Sequence, residues 1–232
     1  MKCCFVDYRI SFKEQSNLES IGLDVLKVSK FNKLYMAIDG HPDIQIHILD
    51  KNTLMVHPDI DKNFLNNLEK RNIKYIFSKK RLLEKYPDNI ALNAVNLKDY
   101  FIHNLNNTDS NLLSLINHKK LISVKQGYTK CSCAIVNNKA IITSDKVIAK
   151  TLINEGFDIL LLPPGDILLQ GLDYGFIGGC CGLISPNKMA FFGDLRNYLY
   201  GELVLEFLDK YNIKPIYLSN GKLIDRGSIL VL

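Results

Sequence analysis

The sequence lacks the features that mark membrane, secreted and nucleic-acid-binding proteins. No apolar run reaches the roughly 20 residues that a membrane span needs, and FDILLLPPGDILLQ is interrupted by Pro163, Pro164 and Gly165. MKCCFVDYRI contains no long apolar segment of the signal-peptide kind, so we expect a cytoplasmic protein. The net charge of +5 is spread along the chain without a concentrated basic and aromatic patch. We therefore expect neither a membrane nor a nucleic acid as partner.

The six cysteines lack the spacing of a structural zinc site. They stand as Cys3-Cys4, Cys131-Ser132-Cys133 and Cys180-Cys181, with no C-x2-C pair. Zinc knuckles use ligand pairs with the C-x2-C spacing. We predict free thiols in a reducing compartment, with no metal and no cofactor.

The chain contains an internal repeat of strand, tight turn, strand, aspartate, helix and strand. One unit begins at Lys130 and another at Gly179, and the distance from cysteine to aspartate is 14 residues in both, Cys131 to Asp145 and Cys180 to Asp194. Two further units begin at Pro42 and Pro87. The pattern predicts that the aspartates that precede the helical segments are N-caps; they are Asp7, Asp59, Asp145 and Asp194.

The two ends of the chain together supply a fifth unit. DRGSILVL matches the first strand of a unit, and KCCFVDYRIS matches the second. Pairing 228–231 with 3–6 would leave no open sheet edge. The predicted fold is α/β, with five ββαβ units around a central axis in one domain, 1–232. The expected units are 225–232 with 1–40, 41–85, 86–128, 129–176 and 177–224.

The segments AIDGHPDIQIH, YPDNIALNA, QGYTKCS, YGFIGGCCGLI, FFGDL and DRGSILVL resemble a bacterial family of unknown function with the pentein fold. This fold is the five-bladed α/β propeller of arginine deiminases, dimethylarginine hydrolases and amidinotransferases. The resemblance implies a substrate in a central pore, a nucleophilic cysteine near the C-terminus, an acid–base histidine and acidic residues for a guanidinium. In this chain DRGSILVL offers Ser228 and no cysteine, and no clear HxD segment is recognised for the histidine.

Equivalent strand starts should converge at the pore, and this predicts the site. The candidate catalytic residues are Cys180, Cys131 and His41. The candidate ligand-binding residues are Asp43, Asp88, His47, Tyr128, Lys130, Tyr174, Asp225 and Ser228. Simpler roles stay open: the Pro-Asp pairs turn the chain, the histidines are hydrogen-bonded, and the cysteines pack. On a strand, Cys180 and Cys181 would point to opposite faces, with Cys181 beneath the helices.

Two functions follow from these residues. The first is binding of a small cationic, guanidino or amidino molecule in the central pore by a divergent hydrolase or transferase. The second is a non-catalytic binding or assembly protein of the same fold, for example one that binds the ribosome or another protein. The sequence leaves open whether the protein is an enzyme.

Overall fold

A computed structural model describes residues 2–232. Its strands are β1 (Lys2–Asp7), β2 (Leu23–Val28), β3 (Ile46–Asp50), β4 (Thr53–Val56), β5 (Lys74–Phe77), β6 (Val95–Asn96), β7 (Tyr100–His103), β8 (Lys120–Ser123), β9 (Cys133–Ile135), β10 (Ala140–Thr143), β11 (Asp158–Leu161), β12 (Cys181–Ser185), β13 (Lys188–Phe191), β14 (Lys214–Tyr217) and β15 (Leu230–Val231).

The helices of the described chain are short. They are α1 (Phe12–Ser20), α2 (Pro42–Gln45), α3 (Lys62–Lys70), α4 (Ser110–Leu115), α5 (Thr129–Ser132), α6 (Lys146–Asn154) and α7 (Gly201–Lys210). Two 3-10 turns, Ile177–Cys180 and Leu195–Asn197, complete the set. Among residues 2–232, no helix combines the length and the apolarity that crossing a membrane requires.

The strands of this part of the chain form five three-stranded sheets with one topology. Their orders are β15-β1-β2, β3-β4-β5, β6-β7-β8, β9-β10-β11 and β12-β13-β14. In each sheet the first pair is antiparallel and the second pair is parallel. A parallel neighbour needs a crossover connection, and the helices α1, α3, α4, α6 and α7 lie in these connections.

The two ends of the chain meet in one sheet, as predicted. Strand β15 pairs antiparallel with β1, with Val231 opposite Cys4 and Leu230 opposite Phe5. The amide of Leu232 also donates to the carbonyl of Cys3 at 2.9 Å. The first and last residues of the fold therefore stabilise each other.

Apolar clusters join each sheet to the next. Phe5 and Leu54 lie in a cluster between the first two sheets, and Met55 and Phe101 lie in one between the second and third. Further clusters join the third sheet to the fourth and the fourth to the fifth. A cluster that contains Cys4 from β1 and residues of β12 and β13 joins the fifth sheet to the first. Every sheet thus buries apolar side chains against two others.

The predicted strand starts at Pro42, Lys130 and Gly179 are wrong by a few residues. The strands begin later, at Ile46, Cys133 and Cys181, and a single helical turn precedes each of them. Proline suits the first position of a helical turn because its φ angle is preset and it needs no amide partner. In these three units, several consecutive residues therefore lie in a helical turn before the first strand.

The predicted N-caps are only partly correct. Asp145 caps α6, because its Oδ1 accepts from the amides of Val147 at 2.8 Å and Ile148 at 2.9 Å. Helix α3 is capped by Asp61 rather than Asp59, which forms ion pairs instead. The difference of two residues reflects a turn before the helix that the apolar pattern does not reveal.

Asp7 and Asp194 bind arginine instead of capping long helices. The carboxylate of each accepts hydrogen bonds from the guanidinium two residues later, Arg9 or Arg196. Ser11 caps α1, and Asp194 caps only the 3-10 turn Leu195–Asn197, through the amide of Arg196, because α7 begins later, at Gly201. Both aspartates are almost fully buried. The repeated Asp-x-Arg spacing therefore corresponds to the same ion pair, a buried aspartate with an arginine, in both units.

Asp145→Ala should lower the free energy of unfolding by about 1 kcal/mol, because two amides of the first turn of α6 lose their acceptor. Asp145→Asn is the matched control, since the amide oxygen still accepts these hydrogen bonds. Urea unfolding of the three proteins measures the difference. Equal destabilisation by both variants would show that the charge of Asp145, and not its capping oxygen, stabilises the helix.

Candidate functional site

A buried carboxylate joins three distant segments of the chain. Asp43 on α2 accepts through Oδ2 from the hydroxyl of Ser228 at 2.7 Å and from the thiol of Cys131 at 3.0 Å. Cys131 lies on α5, and Ser228 lies just before β15. All three residues are at most 2% exposed. The sheets therefore place a carboxylate, a thiol and a hydroxyl in one polar cluster.

Lys130 and Asn93 complete the hydrogen bonding around this cluster. The amine of Lys130 donates to Ser228 Oγ at 2.9 Å. The side-chain amide of Asn93 donates to the carbonyl of Asp43 at 3.0 Å and to Cys131 Sγ at 3.3 Å, while its oxygen accepts from the amide of Lys130 at 2.9 Å. Asn93 therefore holds α2 and α5 together through both ends of its side chain.

His41 and Asp225 lie beside the cluster. Nδ1 of His41 is 3.9 Å from Asp225 Oδ1, and within residues 2–232 neither ring nitrogen has a hydrogen-bond partner. Asp225 accepts from the amides of Phe176 at 2.8 Å and Gly227 at 3.0 Å. The imidazole is thus buried with both ring nitrogens unpartnered among residues 2–232.

Two glycines make this close packing possible. A Cβ atom on Gly227 would lie 2.3 Å from Cβ of His41, and its φ of +66° also disfavours other residues. A Cβ atom on Gly179 would lie 1.9 Å from Asp225 Oδ1. Gly179 therefore leaves space for the carboxylate of Asp225, and Gly227 leaves space for the imidazole of His41.

Burial favours the neutral forms of the ionisable groups in the site. It raises the pKa of Asp43 and of Asp225, and it lowers the pKa of His41. Burial, followed by the charges of Asp43 and Asp225, raises the pKa of Cys131 well above its usual value. Without a bound cation, Cys131 is therefore a thiol, not the thiolate that an activated nucleophile requires.

Two cavities are lined by different residues of this cluster and its surroundings. The smaller, about 260 Å³, is lined by Tyr35, Tyr128, Tyr174 and Phe176, with His41, Cys131 and Asp225 among the polar residues. The larger, about 760 Å³, is lined by Asp43, His47 and Lys130 together with many apolar residues. The hydrogen bond between Cys131 and Asp43 joins a residue of one cavity to a residue of the other.

Most of the predicted site residues meet at this place. His41, Asp43, Lys130, Cys131, Asp225 and Ser228 belong to the cluster or its immediate surroundings, and Tyr128 and Tyr174 line the smaller cavity. His47 faces the larger cavity, and its Nδ1 lies 3.0 Å from the carbonyl of Leu92. Burial lowers the pKa of His47 to about 4.

Asp88 does not join the cluster, contrary to the prediction. Its side chain is exposed, and its amide donates to the carbonyl of Lys85. Strand β6 begins only at Val95, so the residue of this unit that contacts Asp43 is Asn93. The Pro-Asp pair at 87–88 is therefore not equivalent to the pair at 42–43.

The predicted opposite orientation of Cys180 and Cys181 is wrong. Cys180 ends a 3-10 turn and Cys181 begins β12, so strand alternation does not govern the pair. Both thiols are buried and donate to the carbonyl of Ile177, at 3.0 and 3.3 Å. Burial raises the pKa of both cysteines. These contacts are those of packed thiols.

One signal in the sequence was missed. His41-Pro42-Asp43 has the HxD spacing, and the structure places both its histidine and its aspartate at the site. His57-Pro58-Asp59 has the same spacing, but its histidine packs on the ring of Phe31 elsewhere. Spacing alone does not separate the two segments.

The site also contains a set of possible metal ligands. One ligand atom each from His41, Asp43 and Cys131 lies within 4.8 Å of the others. Imidazole, carboxylate and thiolate all bind zinc, and three protein ligands leave a fourth position open. The donors come from two separate segments, so C-x2-C spacing does not reveal them.

The fold of the chain is similar to that of several solved structures. The chain is similar to SxtG, an amidinotransferase of the saxitoxin pathway from Microseira wollei, with TM-score 0.57 and 11% identity over 94% of this chain and 88% of the other. It is also similar to a DDAH from Pseudomonas aeruginosa in complex with citrulline, with TM-score 0.55 and 8% identity over 93% and 91%. Inosamine-phosphate amidinotransferase StrB1 from Streptomyces griseus has TM-score 0.55 and 11% identity over 91% and 77%.

These matches define the class: the chain has an α/β fold that matches pentein-fold structures. At these identities the likeness concerns the fold alone. The chain belongs to a family of unknown function, DUF6873, whose model matches residues 5–230. No curated protein matches the chain in sequence.

The buried histidines should make the fold less stable as the pH falls below about 6.5. Burial lowers the pKa of His47 to about 4 and that of His57 and His103 to about 3. Between these values and 6.5 the unfolded chain binds more protons than the native state, so stability is lost as the pH falls. Each histidine contributes up to about 1.4 kcal/mol per pH unit.

Urea unfolding between pH 7.5 and 5 tests this. His103→Gln should give a shallower dependence of the unfolding free energy on pH than the parent protein. His118→Gln, which changes an exposed histidine, is the control and should leave the slope unchanged. Equal slopes in all three proteins would mean that His103 is protonated as readily in the native state as in the unfolded chain.

Proposed function

We propose that the protein binds a small cationic molecule of the guanidino or amidino type in the smaller cavity and acts on it as a divergent hydrolase or transferase. The observation that carries the proposal is the meeting of a thiol, Cys131, an unbonded imidazole, His41, and two carboxylates, Asp43 and Asp225. Fold similarity to amidinotransferases and to a DDAH is consistent with this class of reaction.

The proposal includes the finer architecture. The five sheets would be blades of one α/β propeller domain, 1–232, and the two cavities would be the mouths of its central pore. Apolar clusters between successive sheets, including the one between the fifth sheet and the first, support a closed ring. The sheet that pairs both ends of the chain supports closure as well.

Recognition of the cation would rest on charge and on aromatic faces. Asp225 is buried, and within residues 2–232 its nearest basic side chain is the imidazole of His41. A guanidinium could donate to this carboxylate in charge-assisted hydrogen bonds. The rings of Tyr128, Tyr174 and Phe176 line the same cavity and could pack on its plane. Asp173 adds a carboxylate to the lining.

A cation bound in the smaller cavity would also activate the thiol of Cys131. A positive charge beside Cys131 favours its thiolate and so opposes the effect of burial. Asp43, 3.0 Å from the sulfur, would accept the thiol proton, and its raised pKa suits that role. The thiolate would attack the amidino carbon, forming a C–S bond while a C–N bond breaks.

The remaining steps need a proton carrier and an acceptor molecule. The proton that Asp43 took from the thiol would pass to His41, a ring nitrogen of which lies within 4.8 Å of a carboxylate oxygen of Asp43, and from His41 to the leaving nitrogen. Water would then release the product by hydrolysis, or an amine would accept the amidino group by transfer. The C–S bond breaks in this second step, and Cys131 regains its proton.

A second candidate is binding without catalysis. The raised pKa of Cys131 and the presence of Ser228 in the C-terminal segment favour it. In that case the same cavity would hold a cation that remains unchanged. The two candidates share the binding site and differ only in whether the ligand is consumed.

Calorimetric titration with agmatine and arginine should show saturable binding by the parent protein. Asp225→Asn should weaken it at least tenfold, because a charge-assisted pair is lost. Asp59→Asn, which removes a carboxylate elsewhere on the surface, should bind as the parent does. The ligand should raise the thermal unfolding temperature of the parent and of Asp59→Asn more than that of Asp225→Asn. Ligand at 100 times its Kd stabilises the native state by about 2.7 kcal/mol.

Mass spectrometry of the incubated ligand separates the two candidates. Cys131→Ser should retain binding and lose turnover if the protein is an enzyme, whereas no protein should alter the ligand if it only binds. Absence of saturable binding by a folded parent protein would contradict both.

A further inference from the structure

The larger cavity differs in character from the smaller one. Its volume is about 760 Å³, within the range of small-molecule sites. Half-buried apolar side chains line it, and they include Ile48, Leu49, Ile135, Leu183 and Val231. Apolar surface that faces an open cavity indicates a ligand with an apolar body.

Basic side chains predominate among the charged residues of this cavity. Five lysines line it, Lys2, Lys51, Lys98, Lys119 and Lys130. The aspartates in the lining are Asp43 and Asp50, and Asp43 is engaged by Ser228 and Cys131. Among the described residues that line the smaller cavity there is no lysine, and the charged residues are Asp173 and Asp225. The two cavities therefore favour ligands of opposite charge.

Two of these lysines are half-buried and bond only to neutral groups. The amine of Lys119 donates to Asn96 Oδ1 at 2.6 Å and to the carbonyl of Leu97 at 2.7 Å. The amine of Lys130 donates to Ser228 Oγ at 2.9 Å. Neither forms an ion pair with a carboxylate of residues 2–232. Partial burial removes water from these two ammonium groups, and an anion bound beside them would offset that cost.

We propose that the larger cavity binds an amphipathic anion. Its acidic head, a carboxylate, sulfonate or phosphate, lies at Lys119, Lys130 adds positive charge to the lining, and its apolar body lies along Ile48, Ile135 and Leu183. The inference does not depend on the function proposed for the smaller cavity, because the lining residues, the charge and the ligand are different.

The fluorescent anion 8-anilinonaphthalene-1-sulfonate tests the proposal with the intact protein. We expect saturable binding at one site, weakened as salt is added, because salt screens exposed charges. Decanoate should displace the dye, and decanol, which has the same chain without the charge, should not. Decyl phosphate compared with decanoate distinguishes a phosphate head from a carboxylate head.

Lys119→Met keeps the apolar stem of the side chain and removes its charge. We expect this change to raise the Kd of the dye about tenfold and Lys119→Arg to restore it. Lys150→Met, which alters an exposed lysine on α6, is the matched control and should bind as the parent does. The circular dichroism spectrum of each variant shows whether it is folded, so that binding of the dye to unfolded chain can be excluded.

The proposal is overturned if a folded parent protein shows no saturable binding. It is also overturned if Lys119→Met and Lys150→Met bind equally, or if decanol displaces the dye as well as decanoate does. The last result would define an apolar cavity without selection for an anion. Binding of agmatine at the smaller cavity is measured separately, so failure of either site leaves the other test intact.

Discussion

The buried carboxylate of Asp43 is the interaction on which the site depends. Its partners Cys131 and Ser228 are 88 and 185 residues away in sequence, so they meet only when the sheets have assembled. A buried carboxylate is unfavourable unless it is hydrogen-bonded, and the thiol and the hydroxyl both bond to one of its oxygens, Oδ2. The cluster is therefore both a product of the fold and a constraint on how its segments pack.

The same cluster separates two chemically different cavities. Cys131 faces the smaller one, with its aromatic walls and carboxylates, and Lys130 faces the larger one, with its lysines and apolar walls. A chain of hydrogen bonds connects the two cavities. It runs from Lys130 to Ser228, then to Asp43 and Cys131. A cation in the smaller cavity would favour the thiolate of Cys131, and an anion in the larger cavity would lie beside the ammonium group of Lys130.

Local patterns in the sequence were enough to predict the repeated strands and the meeting of the two ends. Turn residues, apolar alternation and the 14-residue spacing to Asp145 and Asp194 are properties of neighbouring residues, and each unit carries them. The cap at Asp145 followed from the same local chemistry, because its acceptors lie within three residues. The fold similarity to pentein enzymes agrees with this part of the prediction.

The details of the site depended on contacts that the sequence does not display. Asp43 and Asp88 both follow proline, but only Asp43 is buried, because the second unit reaches the cluster through Asn93. The single helical turns before β3, β9 and β12 also altered the direction of the side chains. They explain why Cys180 and Cys181 share one carbonyl instead of facing opposite sides.

The most direct measurement compares two alkylating reagents that differ in charge, chloroacetamidine and chloroacetamide. Cys131 lines the cavity that contains Asp225 and Asp173, so the cationic reagent should concentrate there and favour the thiolate as it binds. Peptide mapping over time gives the rate at each cysteine. The account predicts that chloroacetamidine modifies Cys131 faster than chloroacetamide does and faster than it modifies Cys180 or Cys181. Equal rates for the two reagents at Cys131, or preferential modification of Cys180, would contradict it.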